Sequence, residues 1–68
     1  MNYRELTKRL QRLGCYMARQ AAGSHEIWRN PNTQRQATIP NHGSQDIPRG
    51  TLRSILRDLE IDPKELNQ

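Results

Sequence analysis

Residues 21–40 have the sequence AAGSHEIWRNPNTQRQATIP, and this stretch decides the fold. Residues 21–24 are typical of a turn, and residues 25–29 contain a β-branched and an aromatic side chain, which favour a strand. The sequence Asn30-Pro31-Asn32 is a second turn signal. Residues 36–39 predict a further strand that ends at Pro40, and residues 15–20 are compatible with an earlier one. Two turns that join three short strands predict an antiparallel meander.

Apolar periodicity predicts a helix on each side of this meander. The first helix is predicted over residues 3–13, with Asn2 as its cap and Gly14 as its stop. Its apolar side chains recur at spacings of three and four, and they are Tyr3, Leu6, Leu10 and Leu13. The stripe of a second helix consists of Leu52, Ile55, Leu56 and Leu59. Residues 62–65 are typical of one last helical turn, because an aspartate precedes a proline there.

The order helix, three strands, helix predicts a two-layer α+β fold. The three-stranded antiparallel sheet buries one face against the two helices, and its other face is left for solvent or a partner. A chain of 68 residues fits one small domain, so we expect a single domain over residues 1–68. Only 32% of the residues are hydrophobic, which predicts a thin core and a stability that gains from a binding partner.

The distribution of charge indicates a polyanionic partner. The formal net charge is +4, and residues 1–40 carry seven Lys/Arg against two Asp/Glu, whereas residues 41–68 carry four against five. Nine of the eleven basic residues are arginines, which bind phosphate through a planar pair of donors and stack on bases. This pattern favours nucleic acid, and the alternative is that the charge serves solubility alone.

Composition also excludes several classes of protein and site. The single cysteine, Cys15, allows no internal disulfide and is expected to be a small core residue. One cysteine and two histidines are too few for a four-ligand zinc site, so we expect no metal and no cofactor. The sequence has neither an apolar stretch of membrane-spanning length nor a signal-peptide core, so a cytoplasmic location is expected.

His25 is the candidate catalytic residue. A histidine can both take and give a proton near neutral pH, and RNA carries its own nucleophile in the 2′-hydroxyl, so a ribonuclease can work without a metal. Gly23 allows close approach of the backbone, and the Ser24 hydroxyl can contact a phosphate oxygen. The alternative is an ordinary exposed histidine on a strand.

Three other side chains or groups are candidates for RNA contact. His42, in the loop over residues 40–50, is either a second proton-transfer group or a solvated loop residue. The arginines of the second helix are spaced by four and either grip phosphates or pair with Asp46, Asp58 or Glu60; they are Arg49, Arg53 and Arg57. Trp28 either stacks on a base or packs in the core.

Three blocks of sequence carry a resemblance to a known family. Arg19-Gln20 is followed by Gly23-Ser24-His25 and a strand with Ile27 and Trp28. The second block is Thr38-Ile39-Pro40-Asn41-His42, and the third is DIPRGTLRSIL over residues 46–56. In this order the blocks resemble the HicA toxin family, whose members are also known as YcfA-like proteins. The resemblance covers residues 3–61.

The resemblance implies a fold like that of double-stranded-RNA-binding domains. It implies a toxin that cleaves mRNA without a metal and is paired with a HicB antitoxin that covers the active site. The catalytic histidine of the family falls on His25, and a histidine often found after the third strand falls on His42. Two positions depart from the usual pattern of the family: Ala22 stands where a basic residue is common, and Glu26 where a second histidine or another polar residue is common. Strand alternation predicts that the Glu26 side chain points away from His25.

Three functions are consistent with the sequence. The first is an RNA-cleaving toxin, whose activity should persist in excess chelator. The second is a non-catalytic RNA-binding module of similar fold. The third is a DNA-binding helix over residues 49–57, which the absence of a recognisable helix-turn-helix partner disfavours.

Overall fold

The computed structural model describes residues 1–67 and has the predicted order of elements. The elements are α1 (Tyr3–Arg12), β1 (Tyr16–Gln20), β2 (His25–Asn30), β3 (Arg35–Pro40), α2 (Arg49–Leu59) and α3 (Pro63–Leu66). The three strands form one antiparallel sheet in the order β1-β2-β3. The α+β fold is confirmed, and it is consistent with the architecture of double-stranded-RNA-binding domains.

The register of the sheet assigns each side chain to one of two faces. Trp28 lies opposite Ala37 and Glu26 opposite Ile39, and these four side chains are buried beneath the helices. The alternate positions of β2 therefore belong to the other face, which we call the open face. In β1 the register shifts between Met17 and Arg19, a bulge that leaves Arg19 opposite Ile27.

The first helix begins and ends at the predicted signals. The Asn2 side chain accepts a hydrogen bond from the Glu5 amide at 2.9 Å, which caps the first turn. At the other end Gly14 has φ +93°, and the amides of Gly14 and Cys15 donate to the carbonyls of Gln11 and Leu10. This pattern is a Schellman motif, which requires the left-handed conformation that glycine adopts without strain.

The second helix ends in the same motif without a glycine. Glu60 has φ +56°, and the amides of Glu60 and Ile61 donate to the carbonyls of Arg57 and Leu56. The chain then turns into α3, where the predicted Asp62 cap is confirmed as part of a capping box with Glu65.

The core lies between the helices and the buried face of the sheet. Leu6 and Leu10 of α1, Ile39 of β3 and Leu59 of α2 are completely buried. Cys15 is buried at 4% exposure in the same cluster, as predicted from its isolation in the sequence. Asn30 connects β2 to the end of α2, because its side-chain Nδ2 donates a hydrogen bond to the Leu59 carbonyl at 2.9 Å.

The differences from the predicted boundaries are small. Helix α1 ends at Arg12, strand β3 extends over Arg35–Pro40, and Pro40 is its last residue, opposite His25. A proline is tolerated there because β3 is an edge strand, where a missing amide breaks no ladder bond. Within residues 1–67, no helix combines the length and the apolar character that crossing a membrane requires.

Candidate functional site

The turn between β1 and β2 presents His25 at the first position of β2. The Ala21 amide donates to the His25 carbonyl at 2.9 Å, and the Asn41 amide donates to the Ser24 carbonyl at 2.9 Å. Gly23 has φ +64°, a conformation that favours glycine, and no atom lies within 4 Å of where its Cβ would be. The turn is therefore held on both sides, and Gly23, Ser24 and His25 are exposed at its tip.

The His25 ring is oriented by the backbone of its own turn. Its Nδ1 lies 3.2 Å from the Ala22 carbonyl oxygen. A carbonyl oxygen can only accept, so this contact is a hydrogen bond when Nδ1 carries the proton. The neutral ring then has its lone pair on Nε2, which is the nitrogen that can accept a proton from a bound molecule.

Two arginines share the open face with His25. Arg19 lies opposite Ile27, and Ala21, two residues on, is bonded to His25, so Arg19 is a diagonal neighbour of His25. Side chains in that relation are about 7–8 Å apart. Arg29 lies on the same face four residues along β2, opposite Tyr16. Neither arginine could be assigned to this face from the sequence, because the assignment requires the register of the strands and the bulge in β1.

His42 lies beside Pro40, the residue that His25 faces across the sheet. Pro40 is the register partner of His25, and it also lines a cleft of about 280 Å³ that contains His42 and Thr51. The remaining residues of this cleft are Gln45, Asp46, Ile47 and Pro48. The fold therefore brings both histidines to the same end of the sheet, although they are 17 positions apart in the chain.

A second cleft opens beside the same loop, at the start of α1. It has a volume of about 480 Å³ and is lined by Asn2, Tyr3, Arg4, Thr7, Asn41, Gly43 and Ser44. Arg4 is exposed and is the cationic side chain of this cleft. Since Asn41 is bonded through its amide to Ser24, the cleft adjoins the turn that holds His25.

Glu26 is a buried carboxylate that faces away from His25, as strand alternation predicts. It accepts from the Tyr3 hydroxyl at 2.6 Å and from the Trp28 indole at 2.9 Å. Burial raises the pKa of this carboxyl, but the hydrogen bonds from Tyr3, Trp28, Asn41 and Gln20 outweigh it and hold the pKa below its ordinary value. The charged carboxylate of Glu26 therefore helps to hold α1 on the sheet through its hydrogen bond from Tyr3, and it does not lie on the open face.

Trp28 packs in the core. Its side chain is 2% exposed and its only polar group is bonded to Glu26. The interpretation of Trp28 as a base-stacking residue is therefore wrong, because the indole has no free face for a base.

The arginines of α2 lie apart from the histidines. They line a groove of about 450 Å³ along α2 and the segment that follows it, which we call the α2 groove. Its lining consists of Arg49, Leu52, Arg53, Leu56, Arg57, Ile61 and Pro63. Arg53 and Thr51 are about 160° apart around the helix axis, so the arginine flank is turned away from the cleft that contains His42.

The described residues contain no group of three or more metal-ligating side chains that could hold an ion.

Arg57 is partly engaged within its own helix, because its Nε lies 3.7 Å from an Asp58 carboxylate oxygen. The phosphate contacts predicted for Arg49 and Arg53 remain predictions.

Comparison with known proteins gave one match. The family model of the HicA toxin of bacterial toxin–antitoxin systems matches residues 3–61, a range that includes α1, α2 and the three strands of the sheet. The comparisons with curated proteins and with solved structures gave no match.

Proposed function

We propose that this chain, which belongs to the HicA toxin family, is a metal-independent endoribonuclease that cleaves mRNA with His25 as its catalytic residue. The observation that carries the proposal is the geometry of His25. Its ring is exposed at the end of β2, is oriented by the Ala22 carbonyl, and shares the open face with Arg19 and Arg29.

In the proposed reaction His25 acts first as a general base. Nε2 takes the proton of the ribose 2′-hydroxyl, and the 2′-oxygen attacks the adjacent phosphorus. The positive charge that develops on the ring is stabilised by the Ala22 carbonyl oxygen at Nδ1. The bond from phosphorus to the 5′-oxygen breaks, which leaves a 2′,3′-cyclic phosphate and a 5′-hydroxyl.

The leaving 5′-oxygen takes up a proton, and His42 is the second side chain beside Pro40 that can donate one. Cationic groups stabilise the charge on the phosphate while the bonds change. The diagonal relation of Arg19 to His25 supports this role for Arg19, and the exposed position of Ser24 in the turn supports it for the Ser24 hydroxyl. Gly23, with open space above it, lets the RNA backbone approach the turn closely.

Membership of the family supports a biological role for the proposed cleavage. Family members are toxins of toxin–antitoxin pairs, and we propose that this chain inhibits translation and growth by cleaving mRNA in the cytoplasm. Its protein partner is then a HicB-like antitoxin that covers the site until it is removed. The cleavage needs no cofactor, because the attacking hydroxyl belongs to the RNA.

The test is cleavage of a defined RNA by antitoxin-free protein. We expect His25→Ala to lower the cleavage rate by about 10²–10⁴-fold, with an unchanged circular dichroism spectrum because the ring is exposed. His42→Ala is the companion variant, and it should lower the rate less if solvent can replace its proton. Activity should persist in excess chelator, and an RNA with deoxyribose at the cleaved position should remain intact. Full cleavage by His25→Ala would reject the mechanism.

The second candidate function is a non-catalytic RNA-binding module of the same fold. It is favoured by the arginines of the open face, of which Arg19 is exposed and Arg29 half-buried, because binding phosphate requires no catalysis. If antitoxin-free wild-type protein binds RNA at micromolar concentration and leaves it intact, this candidate replaces the first.

A further inference from the structure

We propose that the α2 groove is a docking site for an acidic, amphipathic segment of the antitoxin. The proposal rests on the proposed toxin role only for the identity of the partner. The groove itself is defined by its charge, its apolar floor and its position in the fold.

The charge of the groove is complementary to an acidic ligand. Three of the groove's lining residues are arginines and none is acidic. They are spaced by four residues, so their side chains form a row with one cation per helical turn. Carboxylates on a segment that runs along α2, also one per turn, would face this row.

The floor of the groove favours a protein over a nucleic acid. It is aliphatic, with Leu52 half-buried at the surface and Leu56 and Ile61 below it. Aliphatic side chains bind most favourably to a ligand that buries apolar surface of its own against them. A phosphate backbone has no such surface. The lining contains no aromatic side chain on which a base could stack.

The position of the groove separates it from the site of chemistry. The arginine row lies on the flank of α2 that is turned away from Thr51 and therefore from the cleft with His42. A partner seated in the groove would hold the protein from the helix side. A second part of the same partner would then be needed to cover His25 on the sheet.

The first experiment uses a synthetic helical peptide as the probe. The peptide carries leucines along one face and glutamates beside them, and binding to the wild-type chain is followed by NMR chemical shifts. We expect shifts at Leu52 and Ile61 and a Kd at least tenfold weaker for Leu52→Gln and for Arg57→Glu. Arg12→Glu, an exposed charge reversal on α1, is the matched control and should bind as the wild type does.

The peptide controls distinguish the sources of affinity. A peptide with lysine in place of glutamate and one with serine in place of leucine should both bind at least tenfold more weakly. Equal binding of all three, absence of binding by the first, or displacement of the peptide from Leu52 and Ile61 by an RNA oligonucleotide would overturn the proposal.

The second experiment uses the antitoxin that forms the toxin–antitoxin pair with this chain. Leu52→Gln and Arg57→Glu should each weaken the purified toxin–antitoxin complex at least tenfold, and Leu52→Gln should leave RNA cleavage within twofold of the wild type. An antitoxin affinity unchanged by both substitutions would overturn the docking site. If the wild type cleaves no RNA but the antitoxin still depends on Leu52 and Arg57, the catalytic proposal fails and the docking site stands.

Discussion

At the scale of single residues, Glu60 and Gly23 adopt the same unusual backbone conformation for different reasons. Both have positive φ, +56° at Glu60 and +64° at Gly23. Gly23 pays no steric cost for this conformation, whereas the Cβ of Glu60 does. The exposed Glu60 carboxylate lies 3.7 Å from Arg35 Nε, a contact that contributes little at a solvent-exposed surface.

We expect Glu60→Gly to be more stable than Glu60→Ala by about 1 kcal/mol, because only glycine adopts the left-handed conformation without strain. Both substitutions remove the ion pair with Arg35, so their difference isolates the backbone term. Urea unfolding followed by circular dichroism measures it. Equal stability of the two variants would show that the end of α2 is not strained in solution.

At the scale of elements, the sheet separates its arginines by face. Arg19 and Arg29 lie on the open face with His25, whereas Arg35 lies opposite Asn30, whose side chain belongs to the helix side. The three arginines are thus on one sheet, but Arg19 and Arg29 share the face of His25 whereas Arg35 does not.

For the pair Arg19→Gln and Arg29→Gln, the expected result is a cleavage rate lowered by about tenfold or more, since charge-assisted contacts to phosphate contribute about 1.5–3 kcal/mol each. The dependence of RNA binding on salt should also become less steep, because fewer counterions are released. Arg35→Gln is the matched control and should retain both the rate and the salt dependence. A loss in Arg35→Gln equal to that in the pair would mean that the open face is not the RNA surface.

At the scale of the whole molecule, the contact between Tyr3 and Glu26 joins the start of α1 to the middle of the sheet. Burial, the hydrogen bond to Glu26 and the charge of Glu26 together raise the pKa of Tyr3 from 10.0 to about 12. Between these two values the unfolded chain loses the tyrosine proton and the folded chain keeps it, so stability falls as the pH rises. At the acid side, stability falls as the pH drops through the lowered pKa of Glu26.

Tyr3→Phe should therefore be less stable than the wild type at neutral pH, and this difference should shrink between about pH 10 and 12. In the wild type, ionisation of the Tyr3 hydroxyl lowers the Tm at alkaline pH. Tyr3→Phe lacks this hydroxyl, so its Tm does not include this effect. Taking the difference also removes the effect of Cys15, whose pKa is raised by burial. Tyr16→Phe, at an exposed tyrosine of the sheet, is the control and should follow the wild type at every pH. A constant difference between Tyr3→Phe and wild type would contradict the coupling.

The sequence by itself determined the order of elements and the position of His25. Helices α1 and α2 were predictable because their apolar residues repeat with the helical period and their caps are local signals, such as Asn2 and Gly14. The turns around β2 were predictable for the same reason, since Gly23 and Pro31 act on their own neighbours. The family could be identified because its motifs are short and contiguous.

Only the tertiary structure decided which side chains share a surface. The bulge in β1 sets the face of Arg19, and the pairing of His25 with Pro40 brings His42 to the same end of the sheet. The packing of α2 places Arg53 in a different cleft from His42, and the burial of Glu26 removes its charge from the open face. These relations depend on register and on contacts between residues that are distant in the chain, and no local pattern of residues encodes such contacts.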